Sequence, residues 1–151
     1  MAKQSAGLLV FRRKPALQVF LVHPGGPYFA KKDLSSWTIP KGEYPSHEQP
    51  LEAAKREFHE ETGTFIDGVF IPLPTVKQKG GKIILAWAVE ADLDEATIHS
   101  NTFAIEWPPR SGKAQRFPEI DKAAWFTITE DKLKINPAQI PWLEELEASY
   151  S

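Results

Sequence analysis

Three glutamates carry the chemistry of this sequence. Glu57, Glu60 and Glu61 stand at positions i, i+3 and i+4 of a helical stretch, so their carboxylates share one face. Like charges gathered in that way are destabilising unless a cation lies between them. Hard divalent ions such as Mg²⁺ and Mn²⁺ favour carboxylate oxygen and water, and they are the expected cofactor. Phe58 points the other way, toward the core with Leu51 and Ala54. Arg56, four residues before Glu60 on the same helix, is expected to hold a carboxylate in a fixed rotamer through a two-pronged contact. Gly42 is expected to permit a backbone turn that aims a carbonyl at the metal. Glu48 is expected to steady the loop at the positive end of the helix.

The elements that must position these groups follow from local pattern. Pro50 to Thr62 reads as a helix, with proline in its first turn and Gly63 just past its end. Gly7 to Arg12 and Leu17 to Val22 read as a hairpin of strands. His23 to Ser36 reads as a loop, because Pro24-Gly25-Gly26-Pro27 propagates neither a helix nor a central strand. Trp37 to Ile39 is a short extended piece before Pro40. Val69 to Lys77 and Lys82 to Glu90 read as strands joined across Lys79-Gly80-Gly81, with further strands at Thr102 to Trp107 and Ala123 to Thr127. Pro141 to Tyr150 reads as an amphipathic closing helix. The order is not a regular βαβ alternation, so the expectation is α+β: a mixed sheet with helices packed on it.

Gly42, five residues, Glu48, seven residues, then Arg56-Glu57-Phe58-His59-Glu60-Glu61-Thr62-Gly63-Thr64 resembles the Nudix box. Gly42, Glu48, Arg56, Glu57, Glu60, Glu61 and Gly63 fill its fixed positions; aromatic Phe58 and Thr64 depart mildly from the bulky aliphatics of the pattern. The resemblance implies an α/β/α sandwich with a loop–helix–loop catalytic motif, spanning residues 1–151 as one domain. It implies metal-dependent hydrolysis of a nucleoside diphosphate linked to another moiety. It further implies Glu57, Glu60 and Glu61 as metal ligands, with a backbone carbonyl near Lys41 as another. Family members place a further Glu shortly before a Trp-containing strand, which Glu119 matches, six residues before Trp125. Glu119 is thus a candidate general base, with Glu106 as the alternative. The segment Trp37-Thr38-Ile39-Pro40-Lys41-Gly42 resembles branches acting on dinucleoside polyphosphates, diphosphoinositol polyphosphates and some nucleoside triphosphates.

The basic side of the site is expected around Lys41, as a phosphate contact beside the carboxylates. Arg12, Arg13, Lys14, Lys31 and Lys32, and Lys77, Lys79, Lys82, Arg110, Lys113 and Arg116, are candidates for a cationic rim. The His23–Pro27 loop either walls the pocket or simply connects. Trp37 and Trp107 either stack on a base or pack in the core.

Whole-chain numbers exclude more than they assign. Net charge is −2 over 151 residues, yet residues 1–41 carry seven Lys and Arg against one acid, while residues 42–63 carry six Glu against two bases. The near-neutral total gives little support to nucleic acid as partner, including an RNA-end processing role. Zero cysteines exclude disulfides, Cys-based zinc and a cysteine nucleophile. No apolar run approaches the ~20 residues of a membrane span, and no signal peptide is visible, so a cytoplasmic setting is expected. The expected function is a pyrophosphohydrolase acting on a nucleoside tri- or polyphosphate. The competing expectation is a regulatory module that binds nucleotide without turnover.

Overall fold

The computed structural model describes residues 4–78 and 80–150. Strand β1 (Gln4–Arg12) and β2 (Gln18–Pro24) form the hairpin, followed by a short β3 (Lys41–Glu43) and helix α1 (Pro50–Thr62). Next come β4 (Ile71–Pro72), β5 (Val76–Lys77) and β6 (Ile83–Glu90). Strands β7 (Thr102–Glu106), β8 (Ala114–Pro118) and β9 (Ile120–Thr127) lead to α2 (Ile128–Lys134) and α3 (Ile140–Tyr150). Lys79, in an expected turn and in the expected cationic rim, lies outside the described residues, as do the two ends of the 1–151 span.

The central strand β1 organises the site. One edge runs parallel to β6 along its length, from Gln4↔Ile83 to Phe11↔Glu90. Its other edge is shared: β3 pairs with Ser5–Gly7, and β2 with Phe11 and Arg12. β9 then extends the sheet beyond β2, while β7 and β8 form a separate two-stranded arm. Side chains alternate across β1. Ala6, Leu8 and Val10 pack with Ala53, Ala54 and Phe58 of α1. Leu9 and Phe11 pack with Ile128, Trp142, Leu143 and Leu146 of α2 and α3. The result is the mixed sheet between helices that the sequence implied.

The structure departs from the expected elements at four places. The span Val69 to Lys77 breaks into β4 and β5, because Pro72 and Pro74 deny it a continuous ladder. Lys41–Glu43 forms a strand rather than a bare loop. Helix α2 was not expected, although Thr127 and Glu130 form a capping box at its start. β8 was not expected either; its AQRFP sequence is mostly exposed and lacks alternation.

Candidate active site

The carboxylate cluster is built where β3 meets α1. α1 begins with Pro50 at its first position and is closed by Gly63, whose N–H donates to the His59 carbonyl at 2.7 Å. Ala53, Ala54, Phe58 and Thr62 bury one face against the sheet. The opposite side turns toward Lys41 and Gly42. The Lys41 N–H donates to Glu61 Oε2 at 3.0 Å. Gly42 is needed for close approach rather than for an unusual turn: a Cβ there would lie 2.0 Å from Glu57 Oε2. The Glu57 carboxylate therefore rests on the bare glycine backbone.

Arg56 ties the cluster together more widely than expected. Its Nε and Nη2 donate to Glu48 at 2.9 and 2.8 Å, a two-pronged contact. Its Nη1 reaches Glu57 at 2.9 Å and both oxygens of Glu60 at 3.1 Å. Glu48 thus anchors Arg56 and receives the two-pronged contact expected of its guanidinium. The four groups form a network in which one guanidinium aims two carboxylates.

Glu119 joins the cluster from β8–β9. Its N–H donates to the Asn101 carbonyl at 2.8 Å, and its carbonyl accepts from the Gly25 N–H at 2.8 Å. Asn101 in turn donates to the Glu60 carbonyl at 3.3 Å, and His99 to the Thr62 carbonyl at 2.9 Å. The 99–101 segment therefore rivets Glu119 to the end of α1. Gly25 allows this closeness, since a Cβ would meet the Pro118 carbonyl oxygen at 1.9 Å. The His23–Pro27 loop is thus packed against the Pro118–Glu119 segment, further fixed by buried His23, whose ring nitrogens contact Asp121 at 2.7 Å and the Lys32 carbonyl at 2.6 Å. Glu106 lies at the other end of β7, where it accepts the Arg110 N–H at 2.9 Å. It caps a turn away from the cluster and is not a base there.

The electrostatics match a cation site. Desolvation, against the Lys41 N–H and ammonium, pushes the Glu61 carboxyl up to about 8. Desolvation also raises Glu57, outweighing the Arg56 contact that lowers it. Glu119 is raised by burial and by the charge of Glu60. Burial lowers the Lys41 ammonium, with Glu61 opposing. The three carboxylates are short of positive charge, and hard oxygen donors of this kind fit Mg²⁺ or Mn²⁺. Among the described residues no three acidic or histidine side chains already stand in metal-holding positions. The physical reason is visible: Arg56 draws Glu57 and Glu60, while Glu61 is drawn to the Lys41 N–H.

Two expected substrate contacts move elsewhere. Trp37 is 5% exposed, meets Phe126 edge-on at 5.0 Å and donates its indole N–H to Asp33 at 2.8 Å. It is a core residue, with no free face for a base. Arg13 contacts Glu90 with both prongs, at 2.7 and 2.8 Å. It lies beyond the Arg12 end of β1, roughly 15–20 Å along the strand from the Gly7–Lys41 pair at ~3.3 Å per residue. Arg12 is paired there too, with Asp92 at 2.9 Å. Trp107 meets Tyr28 edge-on at 5.3 Å. A network absent from the sequence reading joins Thr38, Gln78 and buried Gln139 beside Lys41. Its members lie 61 and 101 residues apart, so no spacing pattern announces them.

The family model described as NUDIX domain matches residues 1–146. The chain belongs to the NUDIX family. The mouse (Mus musculus) bis(5'-nucleosyl)-tetraphosphatase [asymmetrical] is 31% identical over 103 residues, which is 60% of this chain and 66% of that protein. This NUDIX chain thus matches just under two thirds of that relative's length. A C. elegans Ap4A hydrolase binary complex superposes at TM-score 0.64, with 19% identity, covering 98% of this chain and 97% of that one. The NUDIX domain of Shewanella oneidensis NrtR, complexed with ADP ribose, gives 0.67 with 12% identity, covering 100% and 90%. At such identities the two structures establish the shared fold. None of the helices among the described residues is long and apolar enough to cross a membrane.

Proposed function

We propose that this NUDIX chain is a single-domain, divalent-metal-dependent pyrophosphohydrolase. Its substrate class is a nucleoside tri- or polyphosphate, with a dinucleoside polyphosphate favoured. The observation that carries the reading is the joint arrangement of Glu57, Glu60, Glu61 and Glu119, with Arg56 and the Lys41 N–H fixing three of the four. The name of the mouse relative supports the dinucleoside tetraphosphate choice. A cytoplasmic setting, rich in nucleotides and Mg²⁺, suits it.

Glu57, Glu60 and Glu61 would hold Mg²⁺ or Mn²⁺, which when bound neutralises phosphoryl oxygens and acidifies water. Arg56 orients Glu57 and Glu60 and excludes alternative rotamers. The Lys41 ammonium binds a phosphoryl oxygen beside Glu61. Glu119, its basicity raised by desolvation, takes a proton from the attacking water. The water oxygen bonds to phosphorus as the anhydride P–O bond breaks. The electron pair departs with the leaving phosphate, and the proton on Glu119 passes to solvent. Positioning and electrostatics supply most of the rate.

A hydrolysis screen tests this reading, with nucleoside triphosphates, dinucleoside polyphosphates, nucleotide sugars and inositol pyrophosphates, and products identified by mass. The expected result is Mg²⁺- or Mn²⁺-dependent cleavage of a dinucleoside tetraphosphate into a nucleoside triphosphate and a monophosphate. Tight nucleotide binding without turnover across the panel would favour a regulatory module instead.

A further inference from the structure

Beside Lys41 a cleft of about 270 Å³ opens between the 24–38 loop and the residues before α3. Lys32, Lys41, Thr38, Gln78, Asn136 and Gln139 are among its lining groups, and among the described residues none that lines it is acidic. Obligate donors fix which end of each amide the cleft receives. The Ile39 N–H donates to Gln139 Oε1 at 3.3 Å, so Gln139 Nε2 is the donor to Gln78 Oε1 at 3.0 Å. That uses the Gln78 oxygen and leaves its NH₂. The Ala138 N–H donates to Asn136 Oδ1 at 3.0 Å, again leaving an NH₂. The Thr38 hydroxyl is engaged with Gln139 and the Ile39 carbonyl. What remains on offer is two amide NH₂ groups and two ammoniums, all donors, beside the hydroxyls of Ser35 and of Ser36, the latter already donating to the Leu34 carbonyl at 3.1 Å.

We infer that this cleft is an anion subsite, which takes the phosphoryl groups of a polyphosphate chain beyond the scissile anhydride. Phosphate oxygens are acceptors throughout and meet every remaining donor, whereas a nucleobase edge mixes donors with acceptors. Lys41 stands in both the cleft and the carboxylate cluster, so a chain held at one end continues into the other. The inference deepens the pyrophosphohydrolase reading and rests on it for the role of the bound chain. It makes the enzyme selective for phosphate-chain length through residues far from the Nudix box in sequence.

Two near-isosteric substitutions isolate the donors. Asn136→Asp keeps the oxygen that accepts from Ala138, and Gln78→Glu keeps the oxygen that accepts from Gln139; each replaces an NH₂ by a carboxylate oxygen. Exposed Lys32→Glu on the loop is a third variant remote from the core. Inorganic tripolyphosphate binding, measured by calorimetry without metal, is expected for the wild type and at least tenfold weaker in each variant. Adenosine 5'-tetraphosphate is expected to displace tripolyphosphate, tying the subsite to the nucleotide's own chain. In turnover, KM for a dinucleoside tetraphosphate should rise at least tenfold in the variants. Wild-type-like tripolyphosphate affinity in folded variants, or a tetraphosphate that fails to displace it, overturns the inference. An enzyme that binds tripolyphosphate in this way but cleaves nothing leaves the subsite standing and refutes the pyrophosphohydrolase reading alone.

Discussion

Gly42→Ala separates the architecture of the site from the stability of the fold. The added Cβ would stand 2.0 Å from Glu57 Oε2, 2.2 Å from its Cδ and 2.7 Å from Oε1. Carbon contacts settle near 3.5 Å, so the carboxylate must retreat by roughly 1–1.5 Å. Nothing else crowds that Cβ as closely, and Glu57 is a flexible side chain that can swing away. It would weaken its 2.9 Å contact with Arg56, which keeps Glu48 and Glu60. Loss of such a partly buried pair, with Arg56 still held by Glu48 and Glu60, costs about 1 kcal/mol, a shift of about 2–4 °C in Tm. Catalysis should suffer far more. A misplacement of ~1 Å in a reacting constellation costs on the order of 10²-fold, about 3 kcal/mol of barrier. The assay pairs kcat at saturating substrate and Mg²⁺ with thermal unfolding of the same preparation. A folded Gly42→Ala enzyme with kcat within threefold of the parent refutes the claim that Glu57 must rest on the glycine.

Arg56→Lys keeps the charge but loses the fork, so one ammonium cannot hold Glu48 by two prongs and still reach Glu57 and Glu60. A kcat loss of about 10–100-fold with a raised metal requirement in Mg²⁺ titrations is expected by analogy with other ligand-orienting groups. Glu119→Gln should lower kcat by ~10²-fold or more and abolish the rise of rate with pH that deprotonation of a desolvated base produces; a pH–rate profile over the acidic and neutral range checks it. Asp131 is fully buried, neither of its carboxylate oxygens has a hydrogen-bond partner among the described residues, and burial pushes its pKa from 3.8 to about 9. Between those values the unfolded chain has released the proton and the folded chain retains it. Stability should therefore fall as pH rises through that window, by at most ~1.4 kcal/mol per pH unit from this group. Asp131→Asn removes this contribution, so its Tm should gain on the wild type from pH 5 to pH 8; parallel curves would contradict it.

The parts legible in the sequence are those dictated locally. Pro50, Gly63 and the spacing of Ala54 and Phe58 announce α1, and the helix occupies Pro50–Thr62. The hairpin of β1 and β2 follows from two apolar runs around a proline turn. The box brings Glu57, Glu60 and Glu61 to one helix face because 3.6-residue periodicity does so unaided. What escaped were contacts between distant segments. Trp37 looks available in sequence, but Phe126 and the rest of the core cover it. Arg13 looks like part of a basic rim until β1 carries it to the far end of the sheet, against Glu90. The close approach that requires Gly42 is not legible locally, because its neighbour, Glu57, comes from a different element. α2 is also announced locally, since Thr127-x-x-Glu130 is a signal for a helix start.

The central claim is that the carboxylates of α1 hold the metal that makes hydrolysis possible. The most direct measurement is hydrolysis of a dinucleoside tetraphosphate against Mg²⁺ or Mn²⁺ concentration by the wild type, Glu57→Gln and Glu61→Gln, with thermal unfolding of each. The account predicts metal-dependent turnover in the wild type, loss of at least ~10³-fold in kcat for each variant, and retained folding. Unchanged turnover in both folded variants would contradict it.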